Sequence, residues 1–191
     1  MKLSKRGEYA LRSLINLGIA AKVGRSLLPV AELAKAEELP VKFLEQVMQQ
    51  LREAGYVESV RGKHGGYRLA KPAAQVVVGQ IVRLIDGPLA PIGCVSQTAY
   101  EPCNCPDQEH CGLRMLMLDV RNAIAAILDR YTLADIVEVT TRKMVTSGRP
   151  LPFGPNEAAF TAGKTRSPRI RAVVNSPTEG VIHQLLGDYA I

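Results

Sequence analysis

No stretch of this 191-residue chain approaches the ~20 consecutive apolar residues that span a bilayer. An export signal is missing as well. Lys2, Lys5 and Arg6 are basic, but Glu8, Arg12 and Asn16 interrupt the apolar core such a signal needs. These absences predict a cytoplasmic protein with no membrane partner. Histidine occurs three times, and no nucleophile–base pair or pair of catalytic carboxylates can be read, which argues against an enzyme. The run Arg61-Gly62-Lys63-His64-Gly65-Gly66 is not a phosphate loop, because its lysine precedes the glycine pair and no helix follows. Internal repeats are absent. Cysteine occurs four times, with neither the Cys-x2–4-Cys knuckle of structural zinc nor a redox Cys-x-x-Cys.

What the chain does have is a strong apolar fraction, 47%, and a net charge of +6 that is unevenly spread. Residues 1–72 carry 13 Lys and Arg against 7 Asp and Glu; residues 73–145 carry 6 against 8; residues 146–191 carry 5 against 3. A basic N-terminal end favours a polyanionic partner. Three regions follow: 1–71, 72–145, and a tail over 146–191 rich in Gly, Pro, Ser, Thr and Arg that reads as disordered, with one short helix near Val181–Leu186.

In the first region Ser4 can cap a helix to about Lys22, with Leu11, Leu14, Ile15, Gly18 and Ile19 inward. A short helix fits Pro29–Ala36, with Pro29 in its first turn. A third runs from Pro40 to Ala54, burying Leu44, Val47, Met48 and Leu51 and leaving Lys42, Glu45, Gln46 and Gln49 on the opposite side. Two strands, Tyr56–Val60 and Tyr67–Ala70, flank the glycine-rich basic loop. Three helices and a hairpin make a winged helix-turn-helix, so the predicted fold is mainly α with a small β-wing. Its partner would be double-stranded DNA. Gln46 and Gln49 can pair with adenine, Glu45 with cytosine, and Lys42 with phosphate or guanine. Arg61, Lys63 and Arg68 would reach phosphates or the minor groove. The plainer reading makes these residues a solvated face.

In the second region a short helix fits Gly79–Asp86, stopped by Gly87-Pro88. Cys94, Cys103, Cys105 and Cys111 then fall in one loop, with eight, one and five residues between them. Thiols stay reduced in the cytoplasm, so clustered cysteines point to metal binding or redox sensing more than to disulfides. Soft thiolates select iron–sulfur clusters, zinc or copper(I), and the spacing disfavours zinc. After the loop Leu113, Met117, Val120, Ile124, Ile127 and Tyr131 recur in steps of four and three, a seam suited to a second copy of the same helix. Burial against the N-terminal helix is the alternative. Thr132 can cap a last helix to about Val145.

The segments LSKRGEYALRSLINL and LPVKFLEQVMQQLREAGYVESVRGKHGGYRLAKP, with the cysteine loop ahead of a long helix, resemble the IscR/NsrR/RirA-type bacterial transcription regulators over about residues 1–143. The resemblance implies a winged-helix homodimer on a palindromic operator, in many members governed by an iron–sulfur cluster, 2Fe–2S or 4Fe–4S. It places Lys42, Glu45 and Gln46 at DNA-reading positions and Arg61 at the minor-groove position of the wing. Such proteins use three cysteines, the last two separated by five residues, which matches Cys94, Cys105 and Cys111. Cys103 is extra: it could replace Cys105, serve as a fourth ligand, or act as a redox thiol. Some relatives add a histidine three residues past the last cysteine, where this chain has Arg114; others add an acidic residue at position eight of the partner subunit, where it has Glu8. His110 is a further candidate ligand. The expected function is a homodimeric regulator controlled by a cluster in the Cys94–Cys111 loop, the alternative being a cluster-free thiol-redox or zinc-dependent regulator.

Overall fold

The computed structural model describes residues 2–62 and 64–154. Lys63 and residues 155–191, which hold the short helix expected near Val181 and most of the expected disordered tail, lie outside the described residues. The described chain is mainly helical: α1 (Lys5–Lys22), α2 (Val30–Glu37), α3 (Val41–Glu53), β1 (Val57–Val60), β2 (Gly66–Leu69), α4 (Val78–Asp86), α5 (Gly112–Arg130) and α6 (Leu133–Thr146). β1 and β2 pair antiparallel, Val57 opposite Leu69 and Val60 opposite Gly66.

Helix α1 sits at the centre. It packs against α2, α3, β2, α4 and α6. Ser4 caps it by accepting a hydrogen bond from the Gly7 amide at 3.0 Å, and the Ser4 amide and hydroxyl donate to the Asp86 carboxylate at the end of α4. The buried face is wider than the single predicted stripe. Ala10, Leu14, Leu17, Ile19 and Ala20 are buried, whereas Leu11 and Ile15 are half-buried. Neighbours on several sides explain the width. On the α6 side Gly18 permits close approach, since a Cβ there would lie 2.6 Å from Cγ2 of Val137. Lys22 adds bonds to Glu138 at 2.6 Å and Thr141 at 3.0 Å.

Pro29, predicted in the first turn of α2, is instead its N-cap, with ψ at 142°. The cause lies one residue earlier. Leu28 bridges to Tyr67 through two backbone bonds of 3.0 and 2.8 Å, which holds this stretch extended beside β2. Gly66 makes the approach possible, because a Cβ there would overlap the Leu28 carbonyl.

The second region is tied on at several points. Val78 donates to Tyr131 at 3.0 Å and Leu133 to Val76 at 2.8 Å, joining the entry of α4 to the α5–α6 corner. Thr132 and Asp135 form a capping box on α6. Arg83 of α4 grips Asp129 of α5 through paired bonds of 2.6 and 2.7 Å, which hold the Asp129 carboxyl below its usual range. Past α6, Phe153 returns to pack half-buried against the core. No helix among the described residues is long and apolar enough to cross a membrane.

Replacing Gly18 by Ala sets two effects against each other. Helix propensity gains about 0.8–1.0 kcal/mol, while overpacking against the buried, β-branched Val137 costs about 1–3 kcal/mol. Gly18→Ala is therefore expected to lower the urea midpoint by a net loss on the order of 1 kcal/mol. A raised midpoint would show that α1 and α6 are not closely packed.

Candidate functional site

The first candidate surface is built by α2, α3 and the hairpin. Leu44, Val47, Met48 and Leu51 bury one face of α3, and Phe43 packs edge-on against Tyr9 of α1 with ring centroids 5.6 Å apart. That packing leaves Lys42, Glu45, Gln46 and Gln49 exposed together on the outer face. Gln49 donates to Glu53 at 2.9 Å and is thereby tied along its own helix. The turn between α2 and α3 runs through Glu38 in a left-handed conformation, φ 54°, with Leu39 donating to Ala34 at 2.9 Å. Such a turn fixes the crossing of the two helices.

On the hairpin Arg61 is exposed and, among the described residues, has no ion-pair partner. Arg68 differs: it lies opposite Glu58 in the register and bonds to it at 2.8 and 2.7 Å. Its charge is partly spent across the strands, which sequence reasoning missed because the register was not known. Val41 and Val60 are exposed beside these residues.

The second candidate site is a cavity of about 260 Å³ at the start of α5. Cys94, Cys103, Cys105 and Cys111 all line it, with Gly93, Glu101 and Arg114 among the other walls. Three structural features bring the sulfurs together. Cys94 is buried on a short 3-10 turn, Gly93–Val95, that packs against α5. Cys111 is the N-cap residue of α5. The segment between them folds back, with Glu101 donating to the Gly93 carbonyl at 3.2 Å, and Gly93 lets the Glu101 side chain lie against it.

The thiols influence one another. Burial pushes the Cys94 thiol up. Cys105 donates to the Cys103 sulfur, which holds Cys103 down and pushes Cys105 up to about 12. Among the described residues no three His, Cys, Asp or Glu side chains are gathered as ligands of a single metal ion. The space inside equals about nine waters at ~30 Å³ each, enough for a group larger than one ion. A soft, all-thiol donor set around such a space fits an iron–sulfur cluster.

The remaining candidate ligands lie elsewhere in this subunit. Glu8 sits in the first turn of α1, bonded to Lys5 at 2.9 Å and Arg12 at 3.5 Å. The Lys5 bond holds its carboxyl below the usual range. His110 is largely exposed and pairs with Asp107 at 2.8 Å.

Helix α5 is weakly covered. It packs against α4 and the Cys94 turn, while α1 is covered by α4 and α6 instead. Leu113, Leu116 and Ile127 are exposed, Met117, Val120 and Ile124 are half-buried, and Arg121 is the one buried residue of α5.

A sequence profile of the Rrf2 family, described as iron-dependent transcriptional regulators, matches residues 3–139. An rrf2-like HTH-type transcriptional regulator of Rhodobacter capsulatus is 36% identical over 137 residues, covering 71% of this chain and 91% of the relative. The solved structure of CymR, the global cysteine regulator of B. subtilis, matches with a TM-score of 0.61 at 29% identity, covering 73% of this chain and 98% of that one. IscR of T. potens matches with a TM-score of 0.58 at 27% identity, covering 75% and 90%. The helical fold with its hairpin and the match over residues 3–139 together show that this chain belongs to the Rrf2 family, as a DNA-binding transcription regulator and not an enzyme.

Proposed function

We propose that the protein is a cytoplasmic homodimer whose binding to a palindromic operator is controlled by an iron–sulfur cluster in the Cys94–Cys111 cavity. The observation that carries this reading is the convergence of every thiol in the chain on one cavity at the root of α5. Cys94, Cys105 and Cys111 would hold the cluster. Cys103, within hydrogen-bonding reach of both Cys94 and Cys105, is suited to be a fourth ligand. Glu8 would complete the set from a second subunit if Cys103 does not. When bound, the cluster supplies iron whose redox state, or whose loss, reports iron, oxygen or nitric oxide supply.

The chain's own residues do the rest. Lys42, Glu45 and Gln46 would read the major groove, with Gln49 joining once it releases Glu53. Arg61 and Lys63 would reach the minor groove or phosphates from the wing. The exposed apolar residues of α5 would pair with the same helix of a second copy, placing two readers at a fixed half-site spacing. Buried Arg121, with Nε and Nη1 unpartnered among the described residues, would find an acceptor there. Because the thiol cavity opens at the root of that helix, ordering its walls would bias the spacing.

Anaerobic purification with iron and acid-labile sulfide assays tests the reading directly. Cys111→Ala is expected to lower cluster affinity by more than the roughly 10–100-fold that outer-shell changes cost at metal sites, with the dimer still folded by circular dichroism. Iron-free wild-type protein that still responds to peroxide would replace this reading with thiol sensing. Arg61→Ala should weaken operator binding and reduce the slope of log K against log salt by about 0.9 for each phosphate left unneutralised; unchanged binding in a salt titration would remove the wing from recognition. Ile127→Glu places a charge on the exposed face of α5, and sedimentation should report a monomer. A dimer retained by that variant would put the interface elsewhere.

A further inference from the structure

The cavity is prepared for negative charge by more than its thiols. Three or four thiolates around one partly buried group leave a net anion, which is costly to desolvate without compensation. The chain provides two compensating features at this spot. The first turn of α5 has no side-chain cap and no acidic residue, so its amide N–H groups keep the positive end of the helix unanswered beside Cys111. Arg114, in that same turn, lines the cavity with all four cysteines. Its Nε is buried and has no hydrogen-bond partner among the described residues. A guanidinium stays charged under all physiological conditions, so a buried N–H left without an acceptor is costly unless something occupies the cavity. The one carboxylate among the cavity's lining residues, Glu101, belongs to an exposed residue.

We propose that Arg114 is a positioning residue for the cofactor: its guanidinium donates to a sulfur of the thiolate-bound group and offsets that group's negative charge. This rests on the cluster reading above. The residue that stands where some relatives carry a histidine ligand would thus act on the same centre through a hydrogen bond and not through a metal bond. The sign follows from charge. Adding an electron makes the bound group more negative, and a neighbouring cation favours the more negative state. Arg114 therefore raises the reduction potential and strengthens retention.

The test compares wild type, Arg114→Gln, Arg114→Lys and Arg114→Met in full-length, anaerobically prepared protein. Each is measured for iron and sulfide per chain, and for reduction potential by optical titration. At fixed potential the Gln variant should hold about tenfold less of the reduced form, a downward shift of about 59 mV for a one-electron couple. Lys, which keeps the charge, should recover part of that shift. The Met variant keeps an apolar stem without charge and should shift like Gln; it carries the test if the Gln variant does not fold. Coinciding potentials and equal iron and sulfide in loaded wild type and the uncharged variants would overturn the role of Arg114 alone. Wild-type protein with neither iron nor sulfide would overturn the cluster reading and this inference with it.

Discussion

Helix α1 has to accept neighbours on almost every side, and that demand shapes the molecule. Helices α2 and α3, a strand of the wing, and helices α4 and α6 rest on it. Small residues make the crowding possible: Ala10 and Ala20 are buried, and Gly18 gives Val137 room. The Asp86 carboxylate lies beside Gly7 while it accepts from Ser4, so the start of α1 and the end of α4 are closed on each other. The α3 surface proposed above to read DNA and, through α4, the segment that carries the cysteines are thereby connected to one rod. A displacement of α4 or α6 reaches α3 through a single packed element, with few soft joints between.

The cysteine segment obeys a different logic. It has little core of its own, and its residues are mostly exposed or half-buried. Its shape comes from a 3-10 turn against α5, a backbone bond between Glu101 and Gly93, and the helix cap at Cys111. Under the cluster reading proposed above, such a segment would gain further order from what its side chains hold. The paired bonds from Arg83 to Asp129 secure α5 to α4 near its far end, away from the thiols.

Much of this was legible in the residues, and the exceptions share a cause. The period of Leu44, Val47, Met48 and Leu51 specified α3 and its polar outer face, and Ser4 and Thr132 marked helix starts that the structure repeats. Local chemistry of this kind needs no knowledge of the rest of the chain. The pairing of Arg68 with Glu58 depended on strand register, which a single hairpin sequence leaves open. Pro29 was displaced from its predicted helical turn because Leu28 is recruited by Tyr67, which is remote from it in the chain. The thiol loop showed where the sulfurs are in the chain but not that they share one cavity. The Nε of Arg114, unpartnered among the described residues, belongs to the same class, since burial without a partner is a property of three-dimensional surroundings.

The bridge between Leu28 and Tyr67 makes the wing and the start of α2 one piece. The base of the hairpin is thereby tied to α2, so the angle between the α3 surface and the wing behaves like a caliper with its jaws held. In the reading proposed above, a duplex gripped by such a tool would have to supply the adjustment itself, and base steps that bend or unstack easily would cost less to fit. Sequence preference can therefore arise at base pairs that no side chain touches.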